Sequence, residues 1–141
     1  MSALFPSPAR SASRYVSACV GATVVLMLLQ FLMAGLALFK DGGLWACHVI
    51  AGFLLVVPIG AALVVALKAR MRIVTRYASA LLGAYVVQVG LVIAGKQGAS
   101  PLWQSLHPFN GALMLVGAVA LLMELIALRR NQRGSSRSFS G

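Results

Sequence analysis

Four stretches of this chain contain no Lys, Arg, Asp or Glu: Tyr15 to Phe39, Gly42 to Leu67, Tyr77 to Gly95 and Gln97 to Met123. A helix needs about 20 mostly apolar residues to cross a bilayer, and each stretch is long enough. Inside hydrocarbon no water satisfies backbone N–H and C=O groups, so such stretches must be helical. The chain is 141 residues long, 60% apolar and only 10% charged, which rules out a soluble globular domain. The expectation is an all-α integral membrane protein, an up-down-up-down four-helix bundle with helices over about 15–39, 44–67, 74–95 and 104–128. Residues 1–13, rich in Ser, Pro and Ala, read as a flexible arm, and residues 131–141 as a disordered basic tail. The transmembrane domain is then 14–130. Arg10 and Arg14 precede the first apolar run as a signal peptide would have them, but that run exceeds the roughly 7–15 residues of a signal core, so it reads as a retained helix.

The net charge of +10 is placed asymmetrically. Arg10 and Arg14 lie before the first span. Lys68, Arg70, Arg72 and Arg76 lie between the second and third, and Arg129, Arg130, Arg133 and Arg137 after the fourth. The two opposite loops hold only Lys40, Asp41 and Lys96. Positive loops stay on the cytoplasmic side, so the expected location is a bacterial inner (cytoplasmic) membrane with both termini cytoplasmic. The basic ends read as topology signals in contact with anionic lipid, and no nucleic-acid partner follows from them. Cys19 and Cys47 fall near opposite ends of their spans, and neither belongs to a C-x-x-C or C-x-x-C-H pattern. Thiol redox chemistry and covalent haem attachment therefore lack support.

The two halves of the chain resemble each other as hairpins. Gln30 and Gln88 lie in the outer halves of spans one and three, followed by Ala34-Gly35 and Ala94-Gly95. Leu44-Trp45 and Leu102-Trp103 open spans two and four ahead of the only two histidines, His48 and His107. Gly52 and Gly111 each lie four residues after a histidine. A hairpin returns the chain to its starting side, so this repeat is parallel. Gly52, Gly60, Gly83, Gly90, Gly111 and Gly117 are candidates for close helix approach. Pro58 removes a ladder bond inside span two, where a kink is expected. Pro108 is best tolerated if span four begins near Ser105.

At 1.5 Å per residue, both histidines would lie about 6 Å below the same interface, on parallel helices placed diagonally. Two imidazoles so disposed could clamp a planar metal cofactor, and a haem iron takes one neutral imidazole nitrogen from each side. Gly52 and Gly111, on the histidine faces, would let a flat ring approach the backbone. Lys40 and Lys96 are the cations available to propionates. Gln30 and Gln88 read first as interhelical hydrogen-bond partners, and alternatively as groups lining the cofactor pocket. The plain alternative for the histidines is an interfacial polar role beside belt tryptophans. Zinc fits less well, because two His and Cys47 fall short of four ligands and Cys47 is rotated about 100° from His48. Glu124 is the one acid inside a span. It lies about 25 Å from His107, suited to pairing with Arg129 or Arg130 rather than to catalysis.

A first span ending in Gln-x-x-x-Ala-Gly, a second opening with His48 and Gly52, and a fourth opening Leu106-His107-Pro108-Phe109-Asn110 resemble a family of small uncharacterised bacterial four-helix membrane proteins, over roughly residues 15–128. The layout is also similar to one half of haem A synthase, in which histidines near the outer ends of the second and fourth helices ligate haem. That resemblance implies His48 and His107 as ligands. It departs where the synthase has a glutamate one turn before a ligand histidine: here stand Leu44 and Trp45, and the usual following Arg is replaced by Val49 and Pro108. The resemblance thus implies haem binding more than haem modification, and an enzyme is disfavoured. The leading expectation is one non-covalent haem b between His48 and His107, passing electrons to a quinone or a larger membrane complex. The alternative is a cofactor-free accessory or assembly subunit of such a complex. A homo-oligomer is compatible with either.

Overall fold

The computed structural model describes residues 8–98 and 100–138. Residues 1–7 and 139–141, the outer parts of the expected arm and tail, lie outside the described residues. Among the described residues all regular structure is helical: α1 (Pro8–Phe39), a 3-10 turn (Gly42–Leu44), α2 (Trp45–Leu54), α3 (Val56–Lys68), α4 (Arg72–Lys96) and α5 (Pro101–Ser138). Four stretches are long and apolar enough to cross a membrane, namely Ser11–Phe39, Gly42–Lys68, Arg72–Lys96 and Pro101–Arg130. These are the four charge-poor runs of the sequence, and the all-α bundle they imply is the fold found. Helical backbone also extends into both terminal segments whose composition reads as arm and tail.

Short connections fix the antiparallel order. Asp41 caps the turn after α1, its carboxylate accepting the Gly43 N–H at 2.8 Å. After α3, Arg70 takes a left-handed φ of 55°. Its N–H reaches the Leu67 carbonyl, and the Met71 N–H reaches back to that of Ala66. That pair of bonds is a Schellman closure, with arginine where glycine is usual. Gly98, at φ 75°, follows α4. Ser100 then caps α5 through its hydroxyl, which accepts the Leu102 N–H at 3.2 Å, and Pro101 occupies the first helical position. Because this Ser-Pro start lies upstream of Ser105, Pro108 falls inside α5 rather than in its first turn. Pro58 has the effect expected of it. The Leu54 carbonyl lacks the N–H it would receive from residue 58, and the second span breaks between α2 and α3 at Leu55.

α1 packs against α3 and α5, and α4 packs against the same two, so α3 and α5 face each other across the diagonal. The core is stacked in layers along the bundle. Nearest the arginine-rich end, Val16, Val20, Ala62, Ala66, Val74, Leu121 and Leu125 form one apolar layer. Met27, Leu55, Ile59, Leu81, Tyr85, Met114 and Ala118 form the next. The buried Ser17 and Thr23 hydroxyls donate to carbonyls one turn back, at 2.8 and 3.0 Å, so they add no unpaired polar atom to the core. Large apolar side chains such as Phe39, Val57, Ile73, Val86 and Val116 point outward, as expected for a surface solvated by lipid.

The glycines contribute less to helix packing than their number suggests. A Cβ added at Gly60, Gly83, Gly90 or Gly117 would meet no atom within 4 Å, so none of these four marks a close helix approach. The expectation of tight contacts at these positions is corrected: their faces open onto free space. Gly52 and Gly111 do have close neighbours, a glutamine side chain at each and Phe31 as well at Gly111.

Candidate functional site

Beyond the second apolar layer, at the end carrying the Lys40 and Lys96 turns, the core becomes polar. Gln30 from α1, His48 from α2, Gln88 from α4, and His107 and Asn110 from α5 meet there, all half-buried. The two imidazoles face each other across the bundle with ring centroids 6.4 Å apart and planes at 65°. Trp45 stands edge-on to His48, with centroids 5.4 Å apart.

Each histidine is tied to the glutamine of its own hairpin. His48 Nδ1 lies 3.1 Å from the Gln30 carbonyl oxygen, and His107 Nδ1 lies 3.3 Å from that of Gln88. A backbone carbonyl can only accept, so in both rings the proton belongs on Nδ1 and the lone pair on Nε2. The glycine one turn after each histidine makes room for this arrangement. The nearest atoms to a Cβ at Gly52 would be those of the Gln30 amide, at 3.7 Å. At Gly111 they would be Gln88 Nε2 at 3.2 Å and Phe31 Cζ at 3.6 Å. The same Gln–His–Gly clasp is thus built twice, once per hairpin, which gives the internal repeat a structural content.

The two clasps close differently. In the first hairpin the Gln30 amide donates to the His48 backbone carbonyl at 3.0 Å. This leaves His48 Nε2 with no hydrogen-bond partner among the described residues. In the second, the Gln88 amide faces His107 Nε2 itself, at 3.4 Å. Asn110 fixes that orientation. Its amide nitrogen lies 3.0 Å from the Ala84 carbonyl, a pure acceptor, and 2.7 Å from Gln88 Oε1. With Oε1 held by Asn110, the Gln88 NH2 must point at the histidine. The network read from Ala84 and the network read from the Gln88 carbonyl give the same answer: His107 Nε2 accepts.

The other candidates are placed as follows. Lys40 and Lys96 are exposed, Lys40 just after α1 and Lys96 ending α4, and neither hydrogen-bonds to the histidine layer among the described residues. Cys19 and Cys47 are free thiols, and Glu124 is exposed on α5. Among the described residues no group of three or more His, Cys, Asp or Glu is clustered as a metal site. Asn110 was visible in the sequence only as part of the motif after His107. The cost of an unpaired amide at membrane depth, which singles out Gln30 and Gln88, applies equally to it. Phe31 and Tyr85 also reach across the hairpins. Phe31 lies over Gly111, and the Tyr85 hydroxyl is 3.5 Å from the Phe53 carbonyl, in the turn just before the break at Leu55.

Residues 30–95 match DUF6220, described as a family of unknown function. The match takes in Gln30, His48, Gly52 and Gln88 and stops short of His107, Asn110 and Gly111. No curated protein and no solved structure matches the chain.

Proposed function

We propose that this small multi-pass membrane protein binds one b-type haem between His48 and His107 and transfers electrons near the face that carries them. The observation behind the reading is the pair of imidazoles, both with Nδ1 committed to a backbone carbonyl, set 6.4 Å apart across the bundle. Metal-binding histidines use this arrangement, in which one ring N–H goes to a carbonyl and the other nitrogen is free to ligate. Two imidazoles on one metal, each nitrogen at about 2 Å, have ring centres roughly 6 Å apart. The donor set is therefore one that would hold an iron through a nitrogen of each histidine. One local change is required: the Gln88 amide must leave His107 Nε2.

In this reading His48 and His107 hold the group, and the two glutamine carbonyls orient the rings and keep the ligating nitrogens unprotonated. The apolar layer of Met27, Leu55, Ile59, Leu81, Tyr85, Met114 and Ala118 closes the site from below. Lys40 and Lys96 supply the positive charge at the rim. When bound, the group supplies reversible one-electron chemistry, at a potential set by its axial ligands and burial. A single such group near one face does not carry charge across the whole membrane. The partner is a quinone or a larger membrane complex. Both termini lie on the cytoplasmic side of a bacterial inner membrane, by the distribution of Arg and Lys.

A second reading is favoured by a different observation. No fully buried side-chain nitrogen or oxygen among the described residues lacks a hydrogen-bond partner, so apart from the accessible His48 Nε2 the polar layer is satisfied without a ligand. That is how a purely structural clasp would look, in a cofactor-free accessory or assembly subunit of a larger membrane complex. A reduced-minus-oxidised visible spectrum of detergent-purified protein, expressed with ample haem, decides between them. A sharp reduced α band at near-stoichiometric haem is expected, lost together with the haem in His48→Ala and lost as a low-spin signature in His107→Ala. A colourless protein that also takes up no added haem would overturn the cytochrome reading and leave the accessory subunit.

A further inference from the structure

The asymmetry of the two clasps bears on how the histidines share a ligand, and the inference rests on the haem reading above. Of the two Nε2 lone pairs, only one is free of a hydrogen bond among the described residues. His48 Nε2 meets no donor among the described residues, because the Gln30 amide is spent on the His48 carbonyl. His107 Nε2 already accepts from Gln88, whose other amide atom is pinned by Asn110 at 2.7 Å. Asn110 is in turn anchored on the Ala84 carbonyl. Freeing His107 for a metal breaks a bond in this chain of three. Freeing His48 breaks none. An amide left unpaired in a low-dielectric interior is costly, so Gln88 competes with the metal for His107 Nε2.

We propose that His48 is the permanent axial ligand and His107 the displaceable one, and that the side facing His107 admits a small neutral diatomic ligand of the carbon monoxide class. Gln88 and Asn110 are positioning residues here. They favour the detached state of His107 by giving its lone pair a partner. The first hairpin has no counterpart to this device, since Ala51 stands at the position, three after the histidine, that Asn110 occupies in the second. Exchange of one neutral axial donor for another changes no oxidation state, so no co-reactant is needed beyond the dithionite that prepares the ferrous protein.

The test uses the full-length haem-loaded protein in detergent, with carbon monoxide as probe and two readouts: carbon monoxide association followed in the Soret band, and haem loss to excess apomyoglobin. Wild type should bind carbon monoxide when reduced. His107→Ala should keep haem and bind the gas at least tenfold faster, whereas His48→Ala should lose haem at least tenfold faster than His107→Ala. Gln88→Leu, which retains the backbone acceptor for Nδ1, should slow carbon monoxide association at least tenfold. Asn110→Ala, a smaller change that releases Gln88 Oε1, should slow it in the same direction. A haem protein that excludes carbon monoxide, or in which the two histidine variants behave alike, or in which Gln88→Leu binds as wild type does, would overturn the asymmetry and leave the cytochrome reading standing. A chain that takes up no haem overturns both.

Discussion

Gln30 and His48 hold each other twice: the Gln30 carbonyl accepts from Nδ1 of the ring at 3.1 Å, and the Gln30 amide donates to the His48 carbonyl at 3.0 Å. One of these bonds belongs to the backbone and one to the side chain, so substitution separates them. Gln30→Leu removes only the amide bond. The expected loss is about 0.6–1.7 kcal/mol, the scale measured for side-chain hydrogen bonds between membrane helices, read as a lower unfolding midpoint in detergent. The imidazole should keep its proton on Nδ1, visible in its nitrogen chemical shifts. An unchanged midpoint would mean that this bond adds nothing beyond its counterpart in the unfolded membrane state.

The glycines of the two clasps should respond differently to a methyl group. At Gly52 a new Cβ would sit 3.7 Å from the Gln30 amide, an ordinary contact. Gly52→Ala is therefore expected to be neutral or to gain up to about 1 kcal/mol from helix propensity. At Gly111 the Cβ would fall 3.2 Å from Gln88 Nε2, with Phe31 behind it at 3.6 Å. Since Asn110 holds that amide in place, Gly111→Ala should cost about 1 kcal/mol net, overpacking outweighing propensity. Thermal unfolding of the two single variants side by side is the measurement. Equal midpoints would show that Gln88 yields as easily as Gln30 does.

The sequence announces the bundle because an uninterrupted apolar run has one structural solution in lipid. Ser100-Pro101 marks the start of α5 by the same capping logic that Asp41 shows after α1, but an eye fixed on the apolar run places the start too late. The recurrence of Gln, Trp, His and Gly at similar spacings also announces that the hairpins are alike. It does not say what fills the space over Gly52 and Gly111, since a missing side chain fits a flat ring and an amide equally well. Nor does spacing separate a packing glycine from one on an open face, which is why Gly60, Gly83, Gly90 and Gly117 mislead. The difference between the clasps lies in which way two amides point. For Gln88 that is decided by the carbonyls of Ala84 and Gln88, on the helix preceding the one that carries His107.

Pro58 interrupts the second span nearly three turns after His48, and Pro58→Ala tests whether the interruption positions His48. The variant restores an N–H to the Leu54 carbonyl, so α2 and α3 should fuse and the amide of residue 58 should exchange slowly with deuterium. Helix propensity favours the variant by at most about 3 kcal/mol, and a higher unfolding midpoint is expected. A lower midpoint despite a protected amide would show that the break at Leu55 is needed to seat α2 against α1.

Arg70 is the one non-glycine residue in the left-handed region among those described, with φ at 55°. It closes α3 where a residue without Cβ would do so at no steric cost. A side chain there costs roughly 1–2 kcal/mol. The position also lies in the charged connection between the second and third spans, where positive residues set orientation. Lys68, Arg72 and Arg76 flank it, so one charge can be removed without emptying the loop. Arg70→Gly should therefore raise the unfolding midpoint by an amount corresponding to about 1 kcal/mol and leave the orientation of reporter fusions unchanged. Arg70→Val, β-branched and ill-suited to positive φ, should lower it. If glycine lowers the midpoint instead, the arginine side chain contributes more than its backbone strain costs, and the closure of α3 would rest on charge rather than on conformation.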